Sequence, residues 1–155
     1  YCHTSVDKAG FAAIPSTQTC MNCHHAVLKD SAKILPIREA WQTGMPIEWT
    51  KVHDLPDYSY FNHGVHVNAG VSCVECHGRV DQMDEKGVYT VENLSMGWCI
   101  ECHREPEKRI RPKDKVFDLA WTIEDATAED LEEIKRLHER LDADYTRTDC
   151  STCHR

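Results

Sequence analysis

The sequence is short of three things. No apolar run approaches the roughly 20 residues that a membrane-spanning helix needs, so no span is expected within these residues. Basic residues are outnumbered, 18 against 26 acids, for a net charge of −8. Nucleic acid is therefore not an expected partner, because its backbone demands a basic surface. Helical periodicity is scarce as well: one stretch, Thr127 to Leu141, carries a sustained apolar repeat. What remains is one domain by length, residues 1–155, with too little patterned apolar sequence for an ordinary side-chain core.

Cysteine and histidine are abundant instead, at nine and ten residues. Eight of the cysteines fall in four copies of C-x-x-C-H: Cys20–His24, Cys73–His77, Cys99–His103 and Cys150–His154. Such pairs are wrongly spaced for a cross-linking disulfide framework. Zinc also uses C-x-x-C with histidine, but here no second ligand pair recurs at a fixed spacing. C-x-x-C-H is the attachment signature of c-type haem: two thiols add to the two vinyl groups of one porphyrin, and the next histidine meets the iron. The ninth cysteine, in Tyr1-Cys2-His3, reads as the tail of a fifth such motif whose first cysteine lies upstream; a free thiol is the alternative. On that reading the chain opens inside a motif, and the lack of a leader excludes nothing.

Five haems in 155 residues imply a haem-filled core in a mostly irregular chain with short α-helices and little β-structure. Haem c is attached outside the cytoplasm, which points to a periplasmic or equivalent face. The proximal ligands are His3, His24, His77, His103 and His154. Five histidines remain as distal candidates, His25, His53, His63, His66 and His138, one for each iron. Met21, Met45, Met83 or Met96 could replace one of them. His25 adjoins His24 and cannot share its iron; it reaches another haem or lies at the surface. His63 and His66, three apart, lie on one helical face with Cβ atoms about 5–6 Å apart. They cannot approach one porphyrin from opposite sides, so they serve two haems or only one of them is a ligand. His138 sits on the apolar face of the 127–141 helix with Leu131, Ile134, Leu137 and Leu141, and could be a packed core residue instead.

Elsewhere the reading is coarser. Residues 26–39 could form a short helix interrupted by Pro36, and residues 39–60 an extended, turn-rich linker. Trp41 and Trp49 in that linker either cover porphyrin edges or pack within the loop. Val88-Tyr89-Thr90-Val91 beside Gly87 allows a small hairpin between Asp81 and Glu92. Charge is uneven. Residues 104–115 hold Arg104, Lys108, Arg109, Arg111, Lys113 and Lys115, whereas residues 124–144 hold nine acids. Solvated faces and docking surfaces both account for this.

The block FNHGVH ahead of C-x-x-C-H is similar to the class III multihaem cytochromes. The longer run IEWTKVHDLPDYSYFNHGVHV, followed by VSCVECHG and LSMGWCIECHR, resembles the pentahaem cytochrome c subunit of alternative complex III; the opening 25 residues fit the same family. The resemblance covers Tyr1 to about Arg104, weakens from Val116 to Tyr145 and resumes at Cys150. It implies that His63 ligates the haem on Cys73 and Cys76, and His66 the haem on Cys99 and Cys102. It also implies an N-terminal membrane anchor and a further H-x-x-H block upstream, which would leave His25, His53 and His138 competing for the remaining irons. The implied partners are iron–sulfur or molybdopterin-like and quinol-binding membrane subunits, with a periplasmic cytochrome c or a terminal oxidase as acceptor. The implied function is electron relay on the periplasmic face of the membrane, with no catalytic site on this chain. The alternatives are a soluble periplasmic shuttle and a multihaem reductase.

Overall fold

The computed structural model describes residues 1–83 and 86–154. Among the described residues seven short α-helices are joined by 3₁₀ turns and irregular chain: α1 Thr17–His24, α2 Leu35–Thr43, α3 His63–Asn68, α4 Val74–His77, α5 Met96–Arg104, α6 Ala128–Asp142 and α7 Cys150–Cys153. Among the described residues there is no strand, only two isolated antiparallel bridges, Ser59 with His154 and Val71 with Ile110. No described helix is long and apolar enough to cross a membrane. The mostly irregular, helix-containing architecture agrees with the expected fold class.

The helix boundaries follow local chemistry. Thr127 and Asp130 form a reciprocal capping box at the start of α6. Inside it Ile134 and Leu137 are buried, and with Ile110 and Trp121 they make the one apolar cluster among the described residues, flanked by Val71, Ala126 and Leu141. Leu131, expected on the same face, is about half exposed. At 100° per residue it lies about 90° round from the centre of Ile134, Leu137 and Leu141. His138 lies at the same edge and points its Nε2 at Glu107 and Asp142, 3.2 and 3.3 Å away.

Two further expectations need correction. Pro36 does not interrupt a helix over 26–39; it sits in the first turn of α2, where its missing N–H costs nothing. α2 runs on to Thr43 and ends at Gly44 in the left-handed conformation (φ 72°), so Trp41 is helical and the linker starts later. The hairpin between Asp81 and Glu92 does not form in its described part, and Asp84 and Glu85 lie outside the described residues. Its second half is engaged elsewhere: Val91 packs over Gly78, and Thr90 donates to the Val52 carbonyl at 3.4 Å.

Gly70 locks α3 to the core. Arg111 N–H donates to the Gly70 carbonyl at 2.9 Å, and a Cβ on Gly70 would stand 2.8 Å from the Arg111 carbonyl oxygen. With φ of 96° as well, the position admits only glycine without strain.

Candidate haem-binding sites

All nine cysteines are free. Each complete C-x-x-C-H motif lies on a helical turn, α1, α4, α5 or α7, which puts its two sulfurs on one side. Burial pushes the thiols of Cys73, Cys76, Cys99 and Cys102 up, Cys76 to about 12, with the neighbouring Cys102 adding to it. Burial therefore favours the neutral thiol form at these four positions. Among the described residues, no three His, Cys, Asp or Glu side chains converge as a metal ion would need.

Three of the complete motifs and the Cys2-His3 remnant stand near one another. Cys76 is influenced by Cys102 and Cys99, Cys99 by Cys153, and the His77 ring by His3. Side chains set these placements. Glu75, inside the second motif, accepts from Arg111 at 2.9 Å and pairs with Arg109 at 3.9 Å. The buried Arg111 guanidinium also donates to the carbonyls of Asp118 (3.1 Å) and Trp121 (3.2 Å), and it stacks over the Trp121 ring. Arg109 lies over Trp98, which precedes the third motif. One glutamate thus ties α4 to the core and to α5. At the far end, the Tyr60 N–H donates to the Cys153 carbonyl at 2.7 Å, docking α7 on the linker.

The histidines share a device. Nδ1–H of His24, His25, His63, His66, His103 and His154 donates to a backbone carbonyl: Val27, Met21, Gly10, Asn62, Arg147 and Tyr58, at 2.7–3.1 Å. Nδ1 of His3 meets two, Ala12 and Ala13. A carbonyl can only accept, so Nδ1 carries a proton in each ring, and in the neutral form of such a ring Nε2 is bare, the tautomer that suits an iron ligand. Backbone strain helps to aim two of the acceptors. Ala13 itself has φ of 58°, and Leu28, following Val27, has φ of 54°. Burial also lowers the pKa of His53, His66 and His77, the last to about 4, so these rings are neutral near pH 7.

Distances then pair the rings. His63 and His77 have parallel planes, 7° apart, with centres separated by 6.4 Å. His66 and His103 have centres 5.9 Å apart. Two imidazoles sharing one iron through Nε2, at metal–nitrogen bonds of about 2 Å, hold their centres about 6 Å apart. Phe61 packs against both α3 rings, edge-on to His63 at 4.8 Å and stacked on His66 at 4.3 Å. Asn62 caps α3 beneath them. His53 lies edge-on to His77 at 4.2 Å, and its Nε2 is buried with no partner. A buried ring nitrogen ordinarily has a hydrogen-bond partner, and one without it is suited to binding a metal. These residues fit haem.

Two candidates stand apart from this group. His25 lines a cavity of about 200 Å³ with Met21, His24, Lys29, Arg38 and Trp41. His138 faces carboxylates. Of the other aromatic and thioether candidates, Trp49, Met45 and Met96 are more than half exposed. Sequence reasoning missed Phe61, whose place directly before Asn62-His63 was the available signal. It also missed the carbonyl acceptors, which leave no mark in a sequence because every residue has one.

The model of the family described as cytochrome c552 matches residues 41–155, from within α2 through the last motif. The chain belongs to the cytochrome c552 family. This cytochrome is also similar to the multihaem cytochrome c subunit of a menaquinone reductase from Nitratidesulfovibrio vulgaris. The two are 26% identical over 124 residues, covering 79% of this chain and 56% of the relative. It is similar to two proteins named cytochrome c-552. That of Desulfotalea psychrophila is 31% identical over 64 residues, covering 37% of this chain and 12% of the relative. That of Porphyromonas gingivalis is 28% identical over 120 aligned positions, covering 59% of this chain and 24% of the relative. The cytochrome thus spans about half the length of the first relative and less of the others. It is a multihaem c-type protein that binds haem c.

Proposed function

We propose that this cytochrome conducts electrons between haems held in six-coordinate sites, as part of a quinone-linked membrane complex of the alternative complex III type. The observation that carries the proposal is the facing of His63 with His77 and of His66 with His103, at the spacing of two ligands on one iron. The carrying chemistry when haem is bound is one-electron transfer at an iron whose potential its ligands and burial tune. The chain's own contribution is to attach, orient and insulate. Cys20 with Cys23, Cys73 with Cys76, Cys99 with Cys102, and Cys150 with Cys153 hold four haems, and Cys2 with His3 belongs to a fifth. His24, His77, His103 and His154 are the proximal ligands of the four. His63 completes the site of His77, and His66 that of His103. His53 and His25 serve other haems. The carboxylates of Glu107 and Asp142 around His138 Nε2 occupy the place a ligated iron would need.

With two histidines on an iron, substrate has nowhere to bind, which separates a conductor from a reductase. The neighbouring motifs favour short hops between haems. The similarity to a menaquinone reductase subunit and the resemblance of the block around FNHGVH to alternative complex III support a place on the periplasmic face. There, iron–sulfur and quinol-binding subunits would supply electrons, and a periplasmic cytochrome or an oxidase would accept them.

The test is ligation. Ferrous protein should bind little carbon monoxide, and His63→Ala and His66→Ala should each turn a different haem high-spin. A stoichiometric carbon monoxide complex on the unmodified protein would instead indicate a reductase. Perturbation of one and the same haem by both substitutions would sink the pairing.

A further inference from the structure

Arg147 is a partly buried cation that haem ligation does not use. Its side chain is 19% exposed, and Nη2 donates to Asp142 at 3.1 Å. Nη1 is shielded from solvent and has no acceptor. Buried guanidinium donors are ordinarily satisfied, and the planar fork of arginine suits a carboxylate best. Asp142 is also drawn toward His138, at 3.3 Å. The Trp98 and Trp121 indole N–H groups are likewise shielded without acceptors, but they are neutral single donors. Arg147 alone among these combines an unmet donor with a formal charge.

Its position narrows the missing acceptor. The Arg147 carbonyl accepts Nδ1–H of His103 at 2.7 Å, and the residue lies three before Cys150. Cys153 in turn lies near Cys99. Two haems, on Cys99 and Cys102 and on Cys150 and Cys153, would flank this guanidinium, and each brings two propionates to a chain already at −8. Resting on the haem reading above, we infer that Arg147 is a carboxylate-binding residue: Nη1 donates to a haem propionate, while the backbone of the same residue holds the His103 ring. A fixed positive charge beside one haem disfavours its oxidised form, so that haem should have the higher potential.

The experiment uses haem-loaded protein whose propionate carboxyls carry ¹³C, introduced through labelled haem precursor. Arg147→Gln removes the charge but keeps the backbone carbonyl, and Arg147→Lys keeps the charge without the fork. Asp142→Asn leaves the guanidinium uncompensated. The pyridine haemochrome count and low-spin signals should match the unmodified protein in all three. In Arg147→Gln one labelled carboxylate band in the redox-difference infrared spectrum should shift, and one midpoint potential should fall. Arg147→Lys should shift the band while largely preserving the midpoint, and Asp142→Asn should raise the midpoint. His66→Ala identifies which haem responds: a shared signal assigns it to Cys99 and Cys102, a separate one to Cys150 and Cys153. A band unmoved in both Arg147 variants overturns the inference and leaves Arg147 paired with Asp142 alone. Unmodified protein without covalent haem overturns the haem reading itself.

Discussion

Residues 1–60 and residues 110–141 treat apolar surface in opposite ways. In the first stretch Ile34 is the one buried hydrophobic residue, while Phe11, Ile14, Leu35, Trp41 and Trp49 are about half exposed or more. In the second, Ile110, Val116, Trp121, Ile134 and Leu137 are all buried, and Phe117, Ile123 and Leu131 are the half-exposed exceptions. Histidines divide the opposite way: His3, His24, His25 and His53 lie in the first stretch, and only His138 in the second. Side-chain core and ligand chemistry are kept apart. The 110–141 stretch is a scaffold of ordinary protein packing. The 1–60 stretch offers aromatic and aliphatic surface that a porphyrin can cover, and its order depends on that cover.

The strongest test of this division is to remove haem. In apoprotein, amides of residues 1–60 should exchange at rates near those of unprotected chain, whereas those of α6 should retain measurable protection. Equal loss in both stretches would erase the comparison. Next in size is Gly70→Ala, which forces a Cβ against the Arg111 carbonyl at positive φ; chemical denaturation should show a loss of about 3–4 kcal/mol. Leu137→Ala should cost about 3 kcal/mol by opening a hole in the apolar cluster, with the haem spectrum unchanged. A spectral change of similar size would mean that the scaffold and the haem sites are not separate.

Thr127→Ala should cost about 1 kcal/mol by removing the α6 cap. The effect should depend on pH. Hydrogen bonds from the Thr127 backbone and hydroxyl lower the Asp130 pKa, so this part of the stability is complete above the ordinary aspartate range. It disappears as pH falls through the lowered value, and the difference between variant and parent should narrow in acid. Smallest is Ala13→Gly, which relieves left-handed strain at the His3 acceptor and should stabilise by about 0.5 kcal/mol. Destabilisation there would show that Ala13 is held by contacts its backbone angle does not reveal.

The legible parts of the chain were those governed by spacing. C-x-x-C-H marked four helical turns, and three-residue spacing put His63 and His66 on one face. The apolar repeat from Thr127 to Leu141 announced α6, because a helical period is written within one continuous stretch. The illegible parts depend on partners distant in sequence. Leu131 looked apolar enough to be core, yet the 134–137–141 face turned toward Ile110 and Trp121. Val88 to Val91 had strand composition but was drawn to Gly78 and Val52. His138 was a fair ligand candidate until Glu107, 31 positions upstream, came to face it. Pro36 was read as a breaker because sequence gives its presence but not its phase within a helix.

The acceptors that hold the histidine rings have one more consequence. Seven rings are oriented by main-chain oxygens, and no amino-acid replacement deletes a main-chain oxygen. Ligand orientation is therefore buffered against point mutation at the acceptor positions: Gly10, Met21, Val27, Tyr58 and Arg147 can change identity so long as the path of the chain does not. Drift in the linkers is cheap for such a protein, while an insertion or deletion of one residue between a ring and its carbonyl is not.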